Sequence, residues 1–261
     1  NLVRLSNGQG FVRCLARLTD GQRRGEAFLP MHWSGSFAAN SAAGTVALPR
    51  VDPHSGQPEL KHAPVRLIRE NKAWEGVLIT RRDLRPTGLV HWSRQAVDGG
   101  WRYALAGTET VNEGILLARH LVDPRWRPGL SEYIDKRGAV FRAAATDDSG
   151  ALVEAVLVAP PDRLPSCDWF LALLASGRPL DRDERRALLS GRAPVALPSL
   201  GRIICSCFSV GINQIRDAVK GGCTSVDEVG RTVRAGTNCG SCRAEIKGVI
   251  DATRVADHAA G

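Results

Sequence analysis

Two closely spaced pairs of cysteines near the C-terminus constrain the fold of this chain more than any other feature. Cys205 and Cys207 form a C-x-C pair, and after a spacer of 31 residues Cys239 and Cys242 form a C-x-x-C pair. The two sulfurs of each pair can reach one metal centre, and four thiolates complete the coordination of a zinc ion or of a [2Fe–2S] cluster. The sequence therefore predicts a small C-terminal domain closed by a four-thiolate metal site.

Helical periodicity surrounds these cysteines, because apolar residues recur every three or four positions in the spacer and after the second pair. The first helix is expected to follow an N-cap at Ser209 and to end at Gly221. The second is expected to follow Ser225, which forms the spacing of a capping box with Glu228. A third helix is expected to open at Cys242. The domain is thus predicted to be helical.

Spacing and surroundings bear on which metal centre is bound. Structural zinc usually takes pairs with about two to four intervening residues, so the C-x-C pair is unusual for zinc, whereas the C-x-x-C pair suits either centre. Gly211, Gly236 and Gly240 would let backbone amides approach the sulfurs. The N-terminal dipole of a helix at Cys242 favours thiolates. These features favour a [2Fe–2S] cluster and leave a structural zinc ion and a disulfide framework as alternatives.

The C-terminal sequence also resembles the bacterioferritin-associated-ferredoxin-like [2Fe–2S] domain over roughly residues 200–252. The similarity lies in the segments CSCFSVG (205–211), GGCTSVDEV (221–229) and AGTNCGSCRAEI (235–246). It implies a [2Fe–2S] cluster held by four cysteines: Cys205, Cys207, Cys239 and Cys242. The other three cysteines match no ligand position, and we interpret them as small buried residues: Cys14, Cys167 and Cys223.

The chain opens in a β structure. A strand at 2–5, a turn at Asn7-Gly8 and a strand at 11–18 have the order of a β-hairpin. Because the sequence begins inside this pattern at Asn1, we expect the chain to be part of a longer protein, interrupted within a β domain. We expect neither a signal peptide nor a membrane span, since no charged segment with an apolar core precedes the hairpin and no apolar run approaches about eighteen residues.

The net charge of +8 is concentrated in the first segment, where residues 1–98 hold 14 basic and 8 acidic side chains. Aromatic residues make up only 5% of the chain and no nucleic-acid-binding signature is present, so no nucleic-acid partner is expected. A ligand that carries phosphate would use this charge, and an ordinary solvated surface also accounts for it.

Residues 28–66 are rich in proline, glycine and polar side chains, which is typical of ordered loops between short strands. The segments FLPMHW (28–33) and DPHSGQPELK (52–61) resemble the end of the molybdopterin-dinucleotide-binding domain of bacterial molybdenum oxidoreductases, and particularly assimilatory nitrate reductases. The resemblance implies that four side chains lie at or beside the pterin cofactor: His32, Asn40, Gln57 and Lys61. Lysine would neutralise a phosphate, and the two amides would pair with a pterin or guanine edge. Each side chain could equally brace its loop.

The fold class implied by these patterns is α+β and multidomain. Residues 1–72 would be the C-terminal part of a molybdopterin-dinucleotide-binding β-barrel, residues 73–198 an α+β middle module with a linker, and residues 199–261 the BFD-like [2Fe–2S] domain. In the middle module we expect strands and helices at the following positions: strands 74–80, 88–92, 140–144 and 151–158, and helices 114–121, 169–176 and 182–189.

The resemblance implies that the chain is the C-terminal part of a molybdenum-dependent assimilatory nitrate reductase, which reduces nitrate to nitrite. It would bind part of the molybdopterin guanine dinucleotide and relay electrons through the [2Fe–2S] cluster. The C-x-x-C-x-x-x-C motif of the family, which binds a [4Fe–4S] cluster, is absent, so that cluster and the catalytic molybdenum ligand are expected upstream of Asn1. The alternatives are another molybdopterin oxidoreductase, a stand-alone [2Fe–2S] electron-transfer module and a zinc-stabilised interaction domain.

The expected partner is an electron donor: a flavoprotein reductase subunit, a ferredoxin or a flavodoxin. A basic rim near the cysteines could steer an acidic donor, and its members are Arg202, Arg216, Arg234, Arg243 and Lys247. Cysteine pairs with metal-type spacing favour a reducing compartment, so a cytoplasmic location is expected.

Overall fold

A computed structural model describes residues 1–16, 18–31, 34–135, 137–194, 199–205, 207–208, 210–238 and 240–259, without the side chains of 256–259. The strands are β1 (Leu2–Ser6), β2 (Phe11–Leu15), β3 (Arg66–Glu70), β4 (Trp74–Thr80), β5 (His91–Val97), β6 (Gly100–Gly107), β7 (Ser131–Asp135), β8 (Val140–Thr146), β9 (Leu152–Ala159), β10 (Ile203–Cys205) and β11 (Val210–Gly211). The helices are α1 (Val111–Leu121), α2 (Asp168–Ser176), α3 (Arg182–Ala187), α4 (Ile212–Lys220), α5 (Val226–Val233) and α6 (Arg243–Ala259). The mixed α and β composition confirms the α+β prediction at that level.

The first sheet is antiparallel and has the order β2-β1-β3; we call it the N-terminal sheet. Its hairpin turns where the sequence predicted, because the Asn7 side chain accepts a hydrogen bond from the amide of Gln9 at 2.9 Å and the Asn7 amide donates to Gly10 at 3.0 Å. The second strand is shorter than predicted and ends at Leu15. Among the described residues, no sheet closes into a barrel.

The second sheet is fully antiparallel and has the order β5-β6-β4-β9-β8-β7; we call it the six-stranded sheet. Alternate residues of its central strands face opposite sides, so that Val77 packs with Phe170 of α2 and Leu78 packs with Ile115 of α1. Strand β4 lies where the sequence predicted. Strands β6 and β7 were missed, and β5 begins three residues later than predicted. The sheet therefore has two covered faces, with α1 packed on one face and α2 on the other.

The N-terminal sheet is joined to the six-stranded sheet by a segment that runs along β5. Ala38 forms a bridge with Ser93, and the amide of Ala39 donates to the carbonyl of Trp92 at 2.9 Å. At its other end the segment accepts a hydrogen bond from the amide of Arg13 at the carbonyl of Asn40, at 2.7 Å. These bonds place the predicted cofactor residue Asn40 between the two sheets.

The C-terminal residues form a unit with its own core; we call β10, β11 and α4–α6 with their connecting loops the cysteine module. All its clustered buried residues come from within the module: Ile204, Cys205, Val210, Ile215, Val219, Val229, Ala235, Cys242, Ile246, Val249 and Ile250. The capping box predicted for α5 is confirmed, because the Ser225 hydroxyl accepts from the amide of Glu228 and the Glu228 carboxylate accepts from the amide of Ser225. Helix α6 begins one residue after Cys242, as expected.

The start of α4 differs from the prediction. The N-cap is Gly211 rather than Ser209, which lies outside the described residues. The first amides of the helix are satisfied by an adjoining segment, because Ile212 donates to the carbonyl of Arg202 at 2.8 Å and Asn213 donates to that of Leu200 at 3.1 Å. A serine side chain is therefore not needed to satisfy these amides. Separately, none of the described helices has the length and apolar character required to cross a bilayer.

Candidate metal centre and cofactor loops

Two cysteines from distant parts of the module bring their sulfurs together. Cys205 ends β10 and is 1% exposed, and Cys242 directly precedes α6 and is 7% exposed. Their side chains lie within hydrogen-bonding distance of each other. The described part of the predicted site therefore joins one member of the C-x-C pair to one member of the C-x-x-C pair.

The surroundings of Cys242 disfavour the thiolate form of its side chain in the absence of a cation. Burial raises the pKa of the Cys242 thiol to about 11, and the neighbouring Cys205 thiol adds to the rise. The backbone amides of Gly236 and of Cys242 itself oppose it. Since metals bind thiolates, a bound metal centre would supply the positive charge that the protein around these sulfurs does not.

Gly236 provides the backbone amide that the sequence predicted near a sulfur. It has a φ of +79°, and a β-carbon at this position would come within 3.1 Å of Ile246 and 3.2 Å of Arg243. A side chain there would therefore force the loop away from Cys242. The amide of Gly211 donates to the side chain of Gln214 at 3.0 Å, and the role expected for this glycine near a sulfur stays a prediction. For Gly240 the structure records a left-handed turn whose carbonyl accepts the amide of Arg243 at 3.0 Å.

The other predicted ligands are less completely placed. Cys207 is half-buried and packs against the core of the module, and Cys239 lies outside the described residues. Within the described ranges, no three metal-binding side chains gather at one point. The assignment of all four cysteines as ligands stays a prediction.

The remaining cysteines lie in separate surroundings. Cys167 is buried and accepts a hydrogen bond from Nε of Arg102 at 3.3 Å, and half-buried Cys223 lies 3.3 Å from the hydroxyl of Thr232. Cys14 is half-buried in β2, and burial raises the pKa of its thiol. The six cysteines that the structure describes are all thiols rather than disulfides.

The basic side chains predicted to form a rim are mostly paired with carboxylates. Arg243 lies 2.7 Å from Asp227, and Lys247 lies 2.8 Å from Asp251. Two further pairs complete the set: Arg202 with Glu245, and Arg234 with Asp98. Arg216 is exposed. The surface around the module therefore carries both signs of charge, which reduces the steering field expected from the basic residues alone.

The predicted cofactor residues lie on two surface segments, apart from His32, which falls outside the described residues. Asn40 is exposed and has a φ of +51°. Gln57 and Lys61 are exposed on a second segment, and within the described ranges no hydrogen bond engages their side chains. Their amide and ammonium groups are therefore open to solvent.

The loop that carries Gln57 is braced by other residues. The carboxylate of Asp52 accepts from the amides of His54 and Ser55 at 3.0 and 2.7 Å and from the Ser55 hydroxyl at 3.0 Å. These bonds, that of the Ser55 amide first, lower the pKa of Asp52. The amide of Asp52 closes the loop on the carbonyl of Gln57 at 2.8 Å. The side chains of Asp52 and Ser55 therefore brace this loop and, within the described residues, the Gln57 side chain does not.

Sequence reasoning gave no role to three residues that the structure singles out: Phe208, Asp98 and His91. The guanidinium of Arg234 stacks on the ring of Phe208, 4.2 Å from its centroid, and also pairs with Asp98. His91 is 2% exposed, and neither ring nitrogen has a hydrogen-bond partner among the described groups. Of these, only Asp98 carried a sequence signal, because Asp-Gly is a favoured hairpin turn.

Comparison with known proteins gives family matches in the N-terminal and C-terminal parts of the chain and one relative that matches nearly all of it. The family described as BFD-like [2Fe-2S] binding domain matches residues 203–252, and the one described as Molydopterin dinucleotide binding domain matches residues 1–64. A nitrate reductase from Klebsiella oxytoca is 34% identical over 251 residues, which cover 96% of this chain and 28% of that protein.

Two further relatives each match about a fifth of this chain. A nitrogen fixation protein NifU from Leptolyngbya boryana is 45% identical over 53 residues, which are 20% of this chain and 26% of that protein. A bacterioferritin-associated ferredoxin from Pseudomonas aeruginosa is 44% identical over 50 residues, which are 19% of this chain and 68% of that protein. The chain thus spans little more than a quarter of the nitrate reductase that it matches over nearly its whole length.

Proposed function

We propose that this chain, which is 34% identical to a nitrate reductase over 96% of its length, is part of a longer molybdenum-dependent enzyme that reduces nitrate to nitrite. Its share in that enzyme is to pass electrons through a [2Fe–2S] centre in the cysteine module and to hold part of a molybdopterin dinucleotide. The support is a 34% identity to a nitrate reductase over 96% of the chain, together with the two family matches.

The observation that carries the proposal is the contact between the buried sulfurs of Cys205 and Cys242, in a chain that is similar to a nitrate reductase. Cys205 and Cys242 come from segments on either side of two helices, and their thiols meet beside the amide of Gly236. With Cys207 and Cys239 they would supply the four thiolates that a [2Fe–2S] cluster requires. Such a cluster, when bound, stores and releases one electron at a time.

The residues around the sulfurs would set how readily that electron is accepted. The amide of Gly236 donates to the sulfur of Cys242, and hydrogen bonds of this kind raise the reduction potential. Ile246 and Val229 are fully buried in the same core and keep water away from the sulfurs. These residues would therefore hold the centre in a dry shell, with the amide of Gly236 as a fixed backbone donor.

We assign the N-terminal residues to the cofactor. Residues 1–72 would be the C-terminal part of a β-barrel domain that binds the molybdopterin guanine dinucleotide, residues 73–198 a middle module, and residues 199–261 the [2Fe–2S] domain. Asn40, Gln57 and Lys61 would reach the cofactor with His32 beside it, and Lys61 would pair with its phosphate. The exposed amide and ammonium groups on braced loops support this assignment.

Catalysis at molybdenum and the [4Fe–4S] cluster would belong to the remainder of the longer protein. The electron donor would be a flavoprotein reductase subunit, a ferredoxin or a flavodoxin, which are the carriers that deliver single electrons. We place the enzyme in the cytoplasm, because metal-type cysteine pairs of this kind are favoured by a reducing compartment.

Metal analysis of the chain tests the electron-transfer part. After anaerobic purification we expect about two irons and two sulfides per chain and a brown colour. Cys205→Ser and Cys242→Ser should each lose them, whereas Cys223→Ser, a change at a cysteine that contacts Thr232, should retain them. One tightly bound zinc and no colour would overturn the proposal in favour of a zinc-stabilised interaction domain.

Nitrate reduction by the longer protein tests the enzymatic part. Cys242→Ser there should abolish nitrate reduction driven by the protein donor while leaving the molybdenum content unchanged. Unaltered donor-driven activity in this variant would show that electrons reach molybdenum by a route that avoids the cysteine module.

A further inference from the structure

The six-stranded sheet carries one carboxylate on a rigid, protruding turn. Asp98 lies at the tip of the hairpin between β5 and β6, and its side chain is 63% exposed. Gly99 beside it has a φ of +82°, and a β-carbon there would come within 2.9 Å of the carbonyl of Leu174 in α2. Because the turn is seated directly on α2, the position of Asp98 is fixed by the core of the sheet.

The cysteine module carries one cation whose backbone is equally fixed. Arg234 ends α5 in a left-handed conformation with a φ of +63°, and its amide donates to the carbonyl of Gly230 at 2.9 Å. Its own carbonyl accepts from the hydroxyl of Thr237 at 2.7 Å. Arg234 therefore holds the start of the loop that leads to the second cysteine pair.

The side chain of Arg234 reaches the loop of the first pair. Its guanidinium lies 4.2 Å from the ring centroid of Phe208, the residue that follows Cys207. Stacking of this kind restrains a long side chain before it meets a partner. Arg234 thus contacts both segments that supply the predicted ligands.

The same guanidinium makes an ion pair between the cysteine module and the six-stranded sheet. Its Nη1 lies 2.5 Å from a carboxylate oxygen of Asp98, which is 136 residues away in sequence. Exposed ion pairs between flexible side chains contribute little, because ordering both chains offsets the attraction. Here the turn fixes Asp98 and the Phe208 ring restrains Arg234, so less entropy is lost when they meet.

We propose that the Asp98–Arg234 pair docks the cysteine module onto the six-stranded sheet, with Arg234 as the positioning residue that links this contact to both cysteine loops. The pair sets the orientation of the module relative to the rest of the chain. If the proposed function is correct, it also sets the orientation from which electrons leave the centre.

Small-angle X-ray scattering of the whole chain tests the docking without any assumption about the metal. Asp98→Lys and Arg234→Asp each place like charges opposite one another, and each should increase the radius of gyration at low salt. The double variant restores an ion pair with reversed signs and should return the radius towards that of the unaltered chain. Salt should expand the unaltered chain, because a pair this exposed is screened. Equal radii for the unaltered chain and Asp98→Lys, or a double variant as expanded as either single one, would overturn the proposal.

A second experiment, on the midpoint potential of the iron centre, tests whether the pair positions the cysteine module or only stabilises the fold. In chain that contains the iron centre, Arg234→Gln removes a cation near the cysteine loops and should lower the midpoint potential, because reduction adds negative charge there. Asp98→Asn removes the opposing charge and should raise it, although Asp98 belongs to the other unit. A potential that does not change in Asp98→Asn would contradict docking at this turn.

The two experiments also distinguish this inference from the proposed function. If the metal analysis finds zinc, the scattering result still decides whether the module docks through Asp98. If iron is found and the radii do not respond, the electron-transfer proposal stands and the docking proposal fails.

Discussion

The six-stranded sheet and the cysteine module both bury polar side chains, but they satisfy them differently. In the sheet, the carboxylate of Glu154 is 2% exposed and accepts from the Thr80 hydroxyl at 2.6 Å, from Nε of Arg82 at 2.8 Å and from the amide of Asp123 at 2.8 Å. In the module, the buried sulfur of Cys242 meets another thiol and two backbone amides. The charge of Glu154 is thus balanced within the protein, whereas no cation of the described residues balances a thiolate at Cys242.

This difference distinguishes a structural polar network from a ligand site. A buried charge with its own hydrogen-bonded partner stabilises one arrangement of the chain and needs nothing from outside. Sulfurs buried without a cation remain protonated until a metal displaces the proton, so their full stabilisation depends on a bound ion. The sheet should therefore be indifferent to metal and the module strongly dependent on it.

Removing the metal should give the largest effect. We expect a chelator added under reducing conditions to lower the melting temperature of the cysteine module by more than about 10 °C, because metal binding and folding are coupled. The six-stranded sheet should melt at an unchanged temperature. Circular dichroism followed at helix and sheet wavelengths separates the two transitions, and a single transition that the chelator does not move would contradict the comparison.

Truncating Glu154 should destabilise the six-stranded sheet rather than the cysteine module. Glu154→Ala leaves Nε of Arg82 and the amide of Asp123 without the acceptor that they have in the unaltered chain, and should cost about 3 kcal/mol of unfolding free energy. Glu154→Gln keeps one acceptor oxygen and should cost less. Denaturant unfolding measures both, and the metal content of each variant should equal that of the unaltered chain. A loss of metal in Glu154→Ala would show that the two units are not independent.

Acid should act on a buried histidine in the sheet. Burial, with a smaller effect from the Arg13 cation, lowers the pKa of His91 from 6.5 to about 4. The unfolded chain therefore binds a proton between these values that the folded chain does not, so stability is complete above pH 6.5 and falls as the pH decreases towards 4. The loss should approach about 3 kcal/mol, since each unit of pKa difference corresponds to about 1.4 kcal/mol.

His91→Phe removes the titrating group while retaining a ring, and should flatten this part of the stability profile. The matched control is His120→Gln, a change at an exposed histidine of α1, which should leave the profile as it is. Denaturant midpoints measured at several pH values give the comparison. A profile that stays equally steep in His91→Phe would assign the acid sensitivity to other groups.

The sequence predicted the cysteine module better than the sheet, for a physical reason. The signals of α5 are local: the Ser225 and Glu228 pair and a helical apolar face lie within a few residues of one another. Strand β7 has four exposed residues and exists because β8 offers it an edge, so its own pattern predicts little. Strand β6 did carry an alternating pattern from Trp101 to Leu105, which was overlooked.

Some features of the candidate site could be predicted from the sequence and others could not. The ligand residues could be named from spacing and resemblance, and the contact between Cys205 and Cys242 agrees with that assignment. The N-cap of α4 could not be predicted from the sequence. The first amides of this helix donate to the carbonyls of Leu200 and Arg202, and no local sequence pattern encodes these contacts. The pair of Asp98 and Arg234 depends on the packing of two separate units and was equally invisible.

The smallest predicted effect concerns the capping box, which occurs both at a helix packed on the six-stranded sheet and at a helix of the cysteine module. Thr110 and Ser225 each accept a hydrogen bond from an amide three residues on, at 3.3 Å in both cases, and each begins a helix through a capping box. Changing either to alanine should cost about 1 kcal/mol of unfolding free energy. In Thr110→Ala the loss should be the same with and without metal, since the sheet is closed by protein groups alone. In Ser225→Ala it should be visible in the metal-free chain and hidden in the metal-bound one, because the bound centre holds both cysteine loops. Unfolding of the two variants with and without chelator measures this, and an equal metal dependence for both would show that the metal stabilises the sheet as well.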